Sequence, residues 1–189
     1  MDRLQLINTV KQEMPQRRWL HTEGVMQTAI ELARRFGGDP EKAELAAIVH
    51  DTAKYWAVDR MERMIRENNL DIQVLQYEKE LWHAPVGAWV AEHVYGITDS
   101  EVLNAVRYHT SGRAGMSLLE KIVWVADYIE PGRSFPGVEQ VRAISETDLD
   151  GALLSGLMRT IDFLKEKGKQ IYPLTLEARD SLQQEILER

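Results

Sequence analysis

The sequence predicts an all-α fold, a single-domain helical bundle. Three observations predict it: apolar residues recur at helical spacing along most of the chain, no stretch alternates as a strand does, and cap and breaker residues punctuate the apolar stripes at helix lengths. At 189 residues one domain of ordinary size is expected.

Residues 2–14 form a short amphipathic helix stopped by Pro15. From Gln16 to Phe36 a longer helix carries Val25, Ala29, Leu32 and Phe36 on one stripe, and Gly37-Gly38 end it. Asp39-Pro40 read as N-cap and first helical position of a helix that runs on through Ala43, Ala46, Ala47, His50 and Asp51. A charged helix follows at roughly 58–68, then loop or broken helix to about 80. His83-Ala84-Pro85 opens a helix to Tyr95 that Gly96 closes. Thr98 with Glu101 predicts a capping box for the helix 99–109, and Ser117 with Glu120 predicts another for 118–130. Pro131-Gly132 stop that helix, and 133–138 is loop. Helices at about 138–145, 148–168 and 175–187 complete the chain; Asp150-Gly151 is a turn signal overruled by its helical flanks.

Composition narrows the function. Hydrophobic residues make up 44% and charged residues 28%, as in soluble globular chains. The absence of cysteine excludes disulfides, thiolate nucleophiles and thiolate metal sites, and fits the cytoplasm as the expected location. A net charge of −7 argues against a nucleic-acid partner. No apolar run is long enough for a membrane span, so no membrane partner is expected. A polyanionic substrate would need local positive charge, from metal ions and a few Lys or Arg.

Four of the five histidines lie on core-facing stripes. His21 continues into Val25, Ala29 and Leu32. His50 extends Ala43, Ala46 and Ala47. His83 opens the stripe of Val86, Gly87 and Val90, and His109 follows Val102, Ala105 and Val106. Asp127 lies under Val123 and Trp124 in the most apolar helix, and Asp51 stands beside His50. One inward histidine is most often a satisfied core residue. Five helices that each turn a ligand-type residue inward build a metal centre, because buried imidazoles and carboxylates are costly unless a cation compensates them. Lys54, three residues past Asp51 and four past His50, is expected on the same helical patch. His93, ten residues after His83, falls outside any shared centre.

The order His…His-Asp…Asp resembles that of the HD-domain metal-dependent phosphohydrolases. The segments Arg18-Trp19-Leu20-His21-Thr22-Glu23-Gly24-Val25, His83-Ala84-Pro85-Val86-Gly87-Ala88, Tyr108-His109-Thr110-Ser111-Gly112-Arg113 and Ala126-Asp127-Tyr128-Ile129-Glu130-Pro131-Gly132-Arg133 are similar to the YqeK group of bacterial HD proteins. The resemblance runs from about 15 to 150, the HD core, with 1–14 and 151–189 as flanking helices of the same domain that read as packing or dimer surface.

It implies an HD-domain bundle with a dinuclear centre that cleaves diadenosine tetraphosphate symmetrically into two ADP. By the resemblance, His21, His50, Asp51 and Asp127 hold the first metal, His83 and His109 the second, and Asp51 bridges them. Iron is implied; the ligand set alone suits iron, manganese or zinc. Two metals lower the pKa of a bridging water, which attacks phosphorus, and Lys54 beside Asp51 supplies positive charge to the phosphate. Lys54, Thr110, Ser111, Arg113 and Arg133 are the expected substrate contacts, with a dinucleoside polyphosphate as partner, ADP or GDP as product, and a homodimer left open. Two alternatives remain: an HD nucleotidase acting on simple nucleoside di- or triphosphates or cyclic nucleotides, and a non-catalytic metal-containing nucleotide sensor.

Overall fold

The structure is a computed structural model that describes residues 1–188. Among these, ten α-helices form without strands: α1 (Arg3–Gln12), α2 (Gln16–Phe36), α3 (Pro40–Val49), α4 (Val58–Glu67), α5 (His83–His93), α6 (Ser100–Tyr108), α7 (Leu118–Ile129), α8 (Val138–Ser145), α9 (Leu149–Glu166) and α10 (Pro173–Leu187). The broken stretch before α5 resolves into two 3-10 turns, Ile72–Gln76 and Lys79–Leu81. None of the helices is long and apolar enough to cross a membrane.

The Ala-rich α3 lies at the centre of the bundle. Ala43, Ala46 and Ala47 are wholly buried. Their small side chains let α1, α2, α5, α6 and α7 all approach the same helix. Around it α2 packs on α7, and α6 lies between α5 and α7. Helix α9 joins α7 to α8 and α10. Gly156 explains how closely α9 sits: a Cβ there would come within 2.6 Å of the Trp124 ring. Lys121 of α7 then bridges to Asp150 of α9 at 3.0 Å and Glu185 of α10 at 2.9 Å. The C-terminal helices are thereby fixed to the helix that carries Asp127.

The expected elements form with two differences. Helix α6 is capped by Asp99, whose side chain accepts from the backbone of Glu101 and Val102, rather than by Thr98. The second difference is at the centre of interest. Helix α3 ends at Val49, and His50 to Tyr55 continue as turns closed by Thr52 N–H to Val49 O (3.2 Å) and Lys54 N–H to Asp51 O (2.9 Å). The imidazole of His50 explains the break. Its Nδ1 lies 2.6 Å from Ala47 O, so the ring takes up a carbonyl of the helix's last turn.

Candidate metal centre

Two of the histidines are placed by the same local device. His50 and His109 each occupy the C-cap of their helix, α3 and α6. Each points Nδ1 at the carbonyl three residues back: His50 to Ala47 O at 2.6 Å, His109 to Val106 O at 2.7 Å. A carbonyl only accepts, so both rings carry their proton on Nδ1 and present a lone pair on Nε2. His21, from the first half of α2, reaches the carboxylate of Glu130 instead, Nδ1 to Oε1 at 3.0 Å. His83 enters at the first position of α5.

All four Nε2 atoms converge on the carboxylate of Asp51, and its two oxygens divide them. Oδ2 faces His50 Nε2 at 3.3 Å and His21 Nε2 at 3.6 Å. Oδ1 faces His83 Nε2 at 3.0 Å and His109 Nε2 at 3.7 Å. Asp127 Oδ1 joins the first set, 2.9 Å from His21 Nε2 and 3.8 Å from His50 Nε2. The Nε2 atoms of His83 and His109 lie 3.1 Å apart. His21, His50 and Asp127 form one group with metal-binding spacing, and His50, Asp51 and His109 another.

The donor set fits divalent cations. Lone pairs on imidazole nitrogens and anionic oxygens repel one another at 3 to 4 Å unless positive charge sits among them. The Nε2 atoms of His21 and His50 are buried without a hydrogen-bond partner among the described residues, as is Nδ1 of His83. The electrostatics agree. Burial works against charge on His50, yet the Asp51 carboxylate outweighs it and raises the pKa of His50. The same field that draws a proton to His50 would hold a cation. Burial pushes the Asp51 carboxyl up, but His50 together with the neighbouring His109 and His83 imidazoles overcomes that and holds it well below the usual range. Asp127 is likewise held low: burial opposes ionisation, and the adjacent His21 imidazole with the charges of Arg133 and His50 outweighs it. His83 is pushed down to about 4, chiefly by burial, so at neutral pH it is an uncharged ligand-type imidazole. Nitrogen and oxygen donors without sulfur suit iron, manganese and zinc alike.

The remaining expected contacts separate. Lys54 lines a cavity of about 370 Å³ beside His109, Thr110, Asp127 and Arg133. Arg133 donates to Asp127 Oδ1 at 2.7 Å and to its carbonyl at 2.8 Å, so it braces a ligand as well as facing the cavity. Ser111 is buried, donates to Gly112 O at 2.9 Å, and borders a smaller neighbouring cavity. Arg113 goes elsewhere. Its guanidinium is bidentate on the buried carboxylate of Glu120 (2.7 Å to Oε1 and 3.2 Å to Oε2) and covers the Tyr108 ring, and it borders neither cavity. His93 is exposed and stacks on Trp89, apart from the cluster.

Three groups escape sequence reasoning. Arg18 donates to Asp51 Oδ2 at 2.8 Å. Glu130 is 3% exposed and holds His21; its one sequence signal is an acid three residues beyond Asp127. The third is the C-terminal wall. Phe163, Leu164 and Tyr172 line the 370 Å³ cavity together with Tyr128 and Phe135. Residues 151–189, expected to supply packing or dimer surface, therefore also shape the approach to the centre.

Comparison with known proteins agrees with this architecture. The HD domain family profile matches residues 18–132. A Bacillus subtilis protein named bis(5'-nucleosyl)-tetraphosphatase, symmetrical, is 49% identical over 93% of this chain and 94% of its own length. One of the same name from Halalkalibacterium halodurans is 50% identical over 96% of this chain and 97% of its own. The crystal structure of an HD superfamily hydrolase from Clostridium acetobutylicum, described as involved in NAD metabolism, superposes with a TM-score of 0.93 at 37% identity, covering 100% of this chain and 99% of that one. The chain belongs to the HD domain family, alongside members named symmetrical bis(5'-nucleosyl)-tetraphosphatases.

Proposed function

We propose that the protein is a symmetrical bis(5'-nucleosyl)-tetraphosphatase, hydrolysing diadenosine tetraphosphate to two ADP. The observation that carries this reading is the division of four histidines between the two oxygens of Asp51, with Asp127 beside His21 and His50, in a chain about half identical over its length to relatives of that name.

His21, His50, Asp51 and Asp127 would hold one divalent cation and His83, His109 and Asp51 the other; by family resemblance both are iron. Bound cations supply Lewis-acid stabilisation of phosphate oxygens and a water acidic enough to react at neutral pH. The chain's own residues do the rest. Lys54, whose ammonium makes no hydrogen bond or ion pair among the described residues, faces the cavity and offers positive charge to the phosphate under attack. Arg133 fixes Asp127 while exposing its guanidinium to the same space, and Thr110 lines it beside His109. The aromatic wall offers ring faces to the nucleoside half bound there. Hydrolysis consumes one water: its oxygen bonds to one central phosphorus, the bond from that phosphorus to the oxygen bridging the two halves breaks, and the proton goes to the departing nucleoside diphosphate. The cytoplasm is the expected site of action.

The test is incubation of metal-loaded protein with diadenosine tetraphosphate and chromatography of the products. ADP alone is expected, lost on chelation and restored by metal. Preference for simple nucleoside triphosphates or cyclic nucleotides would favour the nucleotidase reading, and nucleotide binding without turnover would favour the sensor.

A further inference from the structure

The centre is bordered by a second cavity, unlike the first. It measures about 660 Å³ and is lined by Arg17, Arg18, His21, Tyr55 and Arg133, with the carboxylates of Glu23 and Glu130 also on its wall. Arg133 borders both cavities, so a chain of phosphates crossing the centre passes one guanidinium common to the two. The first cavity is aromatic and narrower, and its ligand-type residues are His109 and Asp127. The second is larger, its three arginines outnumber its two glutamates, and the member of the proposed ligand set on its wall is His21.

The positive charge there is local, and one of its three arginines is unpaired among the described residues. In a chain of net charge −7, three arginines line one opening. Arg17 makes no side-chain hydrogen bond or ion pair among the described residues. Arg18 is held at the inner end by Asp51 and covers the Tyr55 ring, guanidinium to ring centre 5.8 Å. Tyr55 and Leu20 form an exposed apolar rim, 53% and 60% accessible. A base can stack on a half-free aromatic ring, and arginine forks match phosphate oxygens. A substrate with a nucleoside at each end of its phosphate chain needs two receptacles. The fold has no internal repeat to make them alike.

We propose that the second cavity receives the other nucleotide half of the substrate, its phosphates on Arg17 and Arg18 and its base on Tyr55. The proposal rests on the dinucleoside tetraphosphatase reading above. Substrate is then held asymmetrically, one nucleoside against the aromatic wall and one at the basic rim.

The experiment uses full-length, metal-loaded Arg17→Ala, Tyr55→Ala and Tyr55→Phe. It measures KM and kcat for diadenosine tetraphosphate, the inhibition constant of ADP, and metal content. Base stacking on an aromatic ring is commonly worth about tenfold in affinity. Tyr55→Ala and Arg17→Ala should each raise KM about tenfold, with kcat, metal content and ADP inhibition near wild type, while Tyr55→Phe keeps the wild-type KM. Unchanged KM in both alanine variants, or ADP inhibition weakened in parallel with KM, would overturn the proposal. A wild-type protein that does not cleave the tetraphosphate would instead overturn the parent reading.

Discussion

Glu130 holds the Nδ1 of His21 through Oε1 at 3.0 Å, although 109 residues separate the two in the chain. The contact is built on both sides. Glu130 Oε2 accepts from Gly132 N–H at 2.5 Å, and a Cβ at Gly24 or Gly132 would lie 2.5 or 2.9 Å from that oxygen. The two glycines leave the space that the carboxylate fills. A carboxylate accepting from Nδ1–H turns the His21 lone pair toward Asp127 and Asp51.

Glu130 is therefore expected to be a positioning residue for metal binding. Glu130→Gln keeps the volume but offers an amide that can turn its NH₂ toward the imidazole. Loss of such a partner costs on the order of 10- to 100-fold in metal affinity. Metal retained after dialysis against a graded chelator should fall in the variant, and Glu130→Asp should recover part of it. Equal retention in Glu130→Gln and wild type would reduce Glu130 to a packing role.

Lys54→Ala should behave in the opposite way. The ammonium faces the cavity without an ion-pair partner among the described residues, so its loss leaves both sets of ligands in place. Metal content near wild type with turnover reduced on the order of 100-fold is the expected pattern. Near-normal turnover would make Lys54 a solvated surface charge.

The histidines offer an internal control. His83 is buried with Nε2 3.0 Å from Asp51, whereas His93, at the far end of the same helix, is exposed and stacked on Trp89. His83→Gln should lose most metal and activity, and His93→Gln should keep both. Similar losses in the two variants would contradict the proposed ligand set.

Arg113→Ala should act on stability rather than chemistry. The substitution leaves the carboxylate of Glu120, 1% exposed, without its bidentate partner at the capping box that starts α7. Breaking a fully buried pair costs about 3–5 kcal/mol. Arg113 itself is about one-third exposed, so roughly 2 kcal/mol is expected here. A lowered melting temperature with unchanged KM is the outcome that chemical and thermal denaturation should show. A raised KM at normal stability would return Arg113 to the substrate.

What the sequence made legible was whatever depends on periodicity. The stripe of Val25, Ala29 and Leu32 placed His21 inward, and the stripe of Val102, Ala105 and Val106 did the same for His109. Ser117 with Glu120 marked the start of α7 by a local hydrogen-bond pattern, and the structure contains it. The end of α3 was not legible. Continuing the helical period through His50 to Lys54 missed the competition between an imidazole and the backbone for Ala47 O. Thr98 was read as a cap where Asp99, one residue later, does the capping. Contacts between distant segments were also out of reach. Nothing local in Phe163 or Tyr172 indicates that α9 and the start of α10 turn toward the centre; that follows from Gly156 lying against Trp124. Arg113 beside a glycine read like a phosphate clamp, because its partner Glu120 declares itself only once α7 is folded.

The last prediction concerns where the bond breaks in a longer substrate. Cleavage of a tetraphosphate into equal halves does not distinguish an enzyme that finds the midpoint from one that counts from an end. The walls of the two cavities decide between them. One is smaller, about 370 Å³, with Tyr128, Phe135, Phe163 and Tyr172 on its wall, and can fix a nucleoside at a set distance from Asp127 and His109. The other, about 660 Å³ with three arginines on its wall, has room for an added phosphate. Counting should therefore run from the aromatic end, with the second phosphorus presented at the centre. Strict counting follows from geometry, since misplacement of reacting atoms by about 1 Å can cost on the order of 100-fold in rate. Diadenosine pentaphosphate should give ADP and ATP as its primary products, and diguanosine tetraphosphate should give two GDP. Chromatography of the pentaphosphate digest at early times measures this directly. AMP with adenosine tetraphosphate as primary products would show that the aromatic cavity does not set the count, and would move the simple-nucleotide alternative ahead.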